Sequence, residues 1–203
     1  MDDLSSWLPI GIIISAKIIT HLILDLIVIR GALLDRLILI GHSLGGQITG
    51  LVGKYFYNMT GLKLPRIIAL DPAGPLFNLR PEEERLNKHD ADIVEVIHTD
   101  GRILGFKAAT GTIDFFLNGG SDQPGCWNIN FFNITTYTDL IYCGHRRAYQ
   151  YFVEAILNPR DFIATECSDW VSYKAGKCDK NKKVSMGDIT VNAQGNFYLE
   201  TIT

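Results

Sequence analysis

An apolar run, Leu37-Ile38-Leu39-Ile40, leads straight into Gly41-His42-Ser43-Leu44-Gly45-Gly46 and then into a helical pattern through Gln47, Ile48, Leu51, Val52 and Tyr55. A G-x-S-x-G turn between a buried strand and a helix dictates backbone geometry more tightly than any other stretch of the chain. Side chains at Gly41 and Gly45 are expected to clash with the neighbouring strand or helix as the backbone folds back. Ser43 is thereby pushed into the open, with the amino end of the helix beneath it. The N–H of Leu44 then points to where an oxyanion would form, and the helix dipole favours negative charge there. The competing interpretation is an ordinary helix-start serine, since glycine and serine are common residues. The strand before and the helix after favour a nucleophile elbow.

The rest of the chain alternates in the same way. Helix is predicted from about Ile10 to Ile29 and from Ser43 to about Tyr57. Strands are predicted around Leu37 to Ile40, at Arg66 to Leu70, from about Ile93 to His98 and at Thr112 to Phe116. The second of these ends at Asp71-Pro72-Ala73-Gly74-Pro75, where two prolines and a glycine enforce a loop. A helix follows His145 through Ala148, Tyr151, Phe152, Ala155 and Ile156 and stops at Asn158-Pro159. Such alternation gives an α/β fold with a mostly parallel sheet. With 203 residues, 47% of them hydrophobic, the chain suits a single domain over 1–203. A net charge of -3, and no basic cluster beyond Lys180-Asn181-Lys182-Lys183, argue against a nucleic-acid partner.

Two features concern the amino-terminal part. The stretch from Leu8 to Ile29 is apolar enough to suggest a membrane span, but Lys17, His21 and Asp25 recur every four residues as one polar stripe. That stripe is costly in lipid and suits a nearly buried core helix, with a membrane span as the alternative. In an α/β-hydrolase the strand before the elbow lies near the middle of the sheet, yet here only one helix precedes it. The early strands are expected to be missing, as in an amino-terminally truncated form or incomplete gene model of a longer secreted enzyme, with Leu37 to Ile40 as an open edge.

The four cysteines allow three connectivities, of which Cys126 with Cys143 and Cys167 with Cys178 are the nearest-neighbour pairs. A loop like the first would stabilise the fold by about 3 kcal/mol in the chain-entropy model. No pair has C-x-x-C spacing, which weakens a metal-binding or thiol-redox role. The sequons Asn58-Met59-Thr60 and Asn133-Ile134-Thr135 agree with a secreted, oxidised, glycosylated protein. Met1-Asp2-Asp3 does not resemble the start of a signal peptide.

A serine becomes a nucleophile when a histidine takes its proton and a carboxylate fixes that histidine's tautomer. In an α/β-hydrolase the acid and then the histidine follow the serine in sequence. His21 precedes the elbow, His42 is expected to be locked in the turn facing away from Ser43, His89 sits in a charged loop, and His98 ends a strand. His145, in Cys143-Gly144-His145-Arg146-Arg147, remains, at an expected loop-to-helix junction. For the acid, Asp71 follows the next strand and Asp100 the one after, and the residues alone leave both open. No metal or cofactor is needed for this chemistry.

The chain resembles the catalytic domain of the pancreatic lipase family, which includes secreted phospholipases of insects. The resemblance rests on Leu39 to Gly45, Leu70 to Pro75, Ile97-His98-Thr99-Asp100, Asp114 to Gly120, Pro124-Gly125-Cys126, Cys143-Gly144-His145-Arg146, Met186-Gly187-Asp188 and Phe197 to Thr201, in that order. It implies an ester-hydrolysing triad of Ser43, Asp71 and His145, with Leu44 as an oxyanion donor. The implied substrate is a triacylglycerol or phospholipid at a membrane or lipid-droplet surface, outside the cell. It also implies that Cys126 and Cys143 close a lid loop carrying Trp127, Phe131, Phe132, Tyr137 and Tyr142, whose aromatics touch lipid or else pack on the core. A glycan at Asn133 would hinder such contact. The family's second oxyanion donor comes from an early loop that has no counterpart here, which predicts weak activity. No carboxyl-terminal β-sandwich and no colipase-type partner are expected. The alternative on this scaffold is a catalytically weak or inactive lipid-binding or storage protein.

Overall fold

The computed structural model describes residues 4–126 and 136–201, with side chains from 10 to 126 and from 141 to 201. The elements run α1 (Leu4–Val28), β1 (Ile38–His42), α2 (Leu44–Thr60), β2 (Leu64–Leu70), β3 (Ala91–His98), β4 (Ile113–Leu117), α3 (Thr136–Leu157), β5 (Ile163–Glu166), α4 (Trp170–Lys174), β6 (Lys183–Ser185) and β7 (Gly195–Leu199). The strands form one sheet in the order β1-β2-β3-β4-β7-β5-β6. Pairing is parallel from β1 through to β7, while β5 runs antiparallel to both β7 and β6. The architecture is the α/β fold expected.

Helices cover both faces of β2 and β3, whose residues are mostly apolar, with Arg66 of β2 and Glu95 of β3 buried as an ion pair at 2.9 Å. Ile67 and Ala69 of β2 and Val94 and Val96 of β3 join Val52 and Phe56 of α2 and Ala16 and Ile23 of α1 in one core. The intervening Ile68, Leu70 and Ile97 point the other way, onto Ala148, Tyr151, Phe152 and Ala155 of α3. The period of two along each strand thus sorts its residues between two helical layers.

Several expectations need correction. The helix expected after His145 begins instead at Thr136, so His145 sits well inside α3. A disulfide joins Cys126 to Cys143, whose second cysteine lies on that helix, and another joins Cys167 to Cys178. Tyr142 is exposed on α3, whereas Trp127, Phe131, Phe132 and Asn133 lie outside the described residues, as does the side chain of Tyr137. Asn58 is exposed in the last turn of α2. Strands β5, β6 and β7 were not anticipated, being short and mixed in polarity.

α1 is not nearly buried. Ile12, Ala16, Thr20 and Ile23 face the core, but Ile10, Ile14, Ile18 and Leu22 form an exposed stripe, Ile18 at 63%. The polar stripe Lys17, His21 and Asp25 is exposed as well, with the Lys17 ammonium 5.6 Å from the centre of the Tyr55 ring on α2. Nineteen residues, Ile10–Val28, are long and apolar enough to cross a membrane, although only 22% of that span is buried inside the fold. Beside it β1 is an edge strand, with Ile40 49% exposed. A bare strand edge flanked by an apolar helix face promotes self-association. Introducing Ile18→Lys and Ile40→Lys together is expected to raise the monomer fraction in gel filtration at fixed concentration. An unchanged elution profile would argue that neither surface mediates association.

Candidate active site

The turn after β1 holds Ser43 at φ 56° and ψ −122°, a conformation unfavourable for any residue with a side chain. Main-chain bonds maintain it. The Ser43 N–H donates to the Leu70 carbonyl, and the Ser43 carbonyl accepts from the N–H groups of Gly46 and Ala73, each at 3.0 Å. The reason Gly41 is a glycine is direct: a Cβ there would lie 2.3 Å from the Gly45 carbonyl oxygen. Gly45 does not share that reason, since a Cβ at this position would meet nothing within 4 Å among the described residues. Gly46 is the tighter site, its Cβ position 3.1 Å from Pro72. The Ser43 hydroxyl makes no capping bond to α2, so it does not serve as a helix-start serine. Leu44 opens α2, where a backbone N–H has no acceptor within its own helix.

Asp71 follows the carboxyl end of β2 and is fully buried. Its Oδ1 accepts from the N–H groups of Thr99 at 2.9 Å and Asp100 at 3.0 Å. Its Oδ2 accepts from Nδ1 of His145 at 2.6 Å. Since Nδ1 carries the proton in that bond, Nε2 is left with the lone pair. His145 is itself buried, and α3 packs here at ordinary contact distance, a Cβ at Gly144 lying 3.4 Å from the Thr99 carbonyl and 3.5 Å from Cβ of Asp100. The Cys126–Cys143 disulfide pins the helix two residues away.

Asp71 and His145 are therefore brought into direct contact. Ser43 stands at the same end of the sheet, its main chain bonded to Leu70 and Ala73 on either side of Asp71. Asp100, the other acid considered, is buried alongside, with ligand atoms of Asp71, Asp100 and His145 all within 4.8 Å of one another. Its own contact is a weak bond from the Leu104 N–H at 3.3 Å. Burial, and then the negative charge of Asp71, push the Asp100 carboxyl up to about 6. The His42 ring lies against that of His145, a contact the sequence does not reveal.

A profile for the family described as Lipase matches residues 14–202. The chain belongs to the pancreatic lipase family. It is 40% identical over 168 residues to lipase member H-B of Xenopus laevis, which covers 83% of this chain and 35% of that protein. It is 43% identical over 155 residues to lipase member H of Mus musculus, covering 76% and 33% respectively. Pancreatic lipase-related protein 3 of Homo sapiens is 42% identical over 154 residues, 69% of this chain and 32% of that one. The chain spans about a third of the length of these relatives.

The lipase-family core holds a second buried histidine–aspartate pair that the sequence did not disclose. His98 Nε2 lies 2.8 Å from Oδ1 of Asp114, and Nδ1 lies 2.9 Å from the Phe106 carbonyl. Asp114 also accepts from the N–H groups of Thr110 and Gly111. Both His98 nitrogens are spent on acceptors, and the ring stacks on Phe116 at 4.4 Å. With no nitrogen left to move a proton, this pair ties β3 to β4. The two residues come close only through strand register, which sets His98 opposite Phe116 and Asp114 opposite Val96.

Proposed function

We propose that this chain carries the reaction centre of an extracellular lipid ester hydrolase acting on triacylglycerol or on phospholipid as a phospholipase A1. The single observation behind the reading is the 2.6 Å bond from His145 to Asp71 beside the strained turn that carries Ser43. Ser43 Oγ attacks the ester carbonyl while His145 Nε2 takes its proton. Asp71 keeps the opposite nitrogen protonated and stabilises the imidazolium that results. The Leu44 N–H, at the positive end of α2, donates to the oxyanion. Collapse of the tetrahedral intermediate expels the alcohol, which takes the proton from His145. Water then repeats the sequence on the acyl-enzyme and releases the fatty acid. Oxidation of both cysteine pairs is consistent with an extracellular setting.

The test is covalent capture. A fluorophosphonate probe requires an activated serine, so the folded chain is expected to be labelled, and peptide mapping is expected to place the adduct on Ser43. A folded chain that stays unlabelled would instead favour a lipid-binding role on the same scaffold.

A further inference from the structure

His42 is the side chain of the elbow that reaches α3. Its Nε2–H donates to the main-chain carbonyl of His145 at 3.0 Å, across 103 positions of sequence. Its ring centre lies 4.5 Å from that of the His145 imidazole, tilted by 43°, and Tyr149 of α3 meets it edge-on at 5.4 Å. One residue therefore touches both the base's ring and the base's backbone while being covalently next to the nucleophile.

We infer that His42 is a positioning residue for the reaction, fixing the turn that bears Ser43 against the helix that bears His145. The inference rests on the Ser43–His145–Asp71 reading. A carbonyl inside a helix has a second lone pair available, so the bond from His42 adds to the helical ladder rather than competing with it. The ring covers one side of the His145 imidazole and limits the positions it can occupy. Burial holds the His42 imidazole below its ordinary value, outweighing the bond to the His145 carbonyl, which acts in the opposite direction. Its neutral form keeps a donor on Nε2 and sets no positive charge beside an imidazole that becomes cationic in every turnover. A loss of register of about 1 Å between nucleophile and base is enough to cost about 100-fold in rate.

The experiment compares His42→Ala, His42→Gln and His42→Phe, with kcat expressed per Ser43 site titrated by a fluorophosphonate. His42→Ala is expected to lower kcat per titrated site about 10- to 100-fold with little change in KM. His42→Gln, which restores a donor, is expected to recover more of that loss than His42→Phe, which restores a ring alone. A purely structural role would reduce the number of titratable sites and leave turnover per site intact. Turnover per site in His42→Ala close to wild type would overturn the inference. Should His42→Ala fail to fold, the other two decide, and equal turnover in Gln and Phe variants would overturn it. A wild-type chain that is not labelled at Ser43 defeats the triad reading and this inference together, whereas labelling with undisturbed turnover defeats this inference alone.

Discussion

Ser43→Ala is expected to lower kcat for lipid ester hydrolysis by roughly 10⁵- to 10⁶-fold, the scale seen when a hydrolase loses its serine nucleophile. Removing one oxygen has so large an effect because the remaining groups are arranged only to serve it. In the proposed mechanism His145 Nε2 then has no hydroxyl proton to take, and the oxyanion that the Leu44 N–H would stabilise does not form. The same substitution is expected to leave the melting temperature almost unchanged. Its hydroxyl caps nothing in α2, and alanine meets the same backbone strain at φ 56° that serine does. Steady-state kinetics with calorimetry on the same preparation separates the two effects. Residual hydrolysis within about ten-fold of wild type would mean that a different nucleophile carries the reaction.

How far the sequence could be read depended on whether a feature is local. β2 and β3 were legible from their short apolar stretches, Ile67 to Leu70 and Val96-Ile97 with Ile93-Val94, although Arg66 and Glu95 interrupt the pattern as a buried ion pair, and the elbow was legible because its strand, turn and helix are contiguous. The order that the fold imposes pointed to His145 but left Asp71 and Asp100 both open, and only the resemblance to the lipase family selected Asp71. His42 against His145, Asp100 beside Asp71 and His98 on Asp114 were not legible, because each depends on how elements distant in sequence are set side by side. α1 shows a different limit. Its periodicity identified a helix and a polar stripe, but which side is wet depends on what lies next to it, and α1 packs on one side only. The start of α3 was obscured by the cysteine spacing, which suggested a loop where Cys143 and Gly144 continue a helix.

Asp71→Asn is expected to reduce kcat by about 10⁴-fold, the usual consequence of reversing the histidine tautomer. The direction follows from the three donors around the carboxylate. The N–H groups of Thr99 and Asp100 both point at Oδ1, so an asparagine settles with its carbonyl oxygen there. Its amide NH₂ then takes the place of Oδ2, facing His145 Nδ1. A donor facing Nδ1 moves the imidazole proton to Nε2, which can no longer accept one from Ser43. Asp100→Asn is expected to behave differently, lowering kcat by less than about ten-fold, because the His145 bond goes to Asp71. Its signature lies in stability against pH. The folded-state value of Asp100, about 6, is above its ordinary 3.8. Wild type therefore keeps this contribution below the lower value and loses it as pH rises through the higher one, because the folded state holds the proton more tightly. The melting temperature of Asp100→Asn relative to wild type should accordingly be higher at pH 8 than at pH 4. If Asp100→Asn instead abolished turnover while Asp71→Asn preserved it, the roles of the two acids would be exchanged, and the short bond from His145 would be an orienting contact without a part in the reaction.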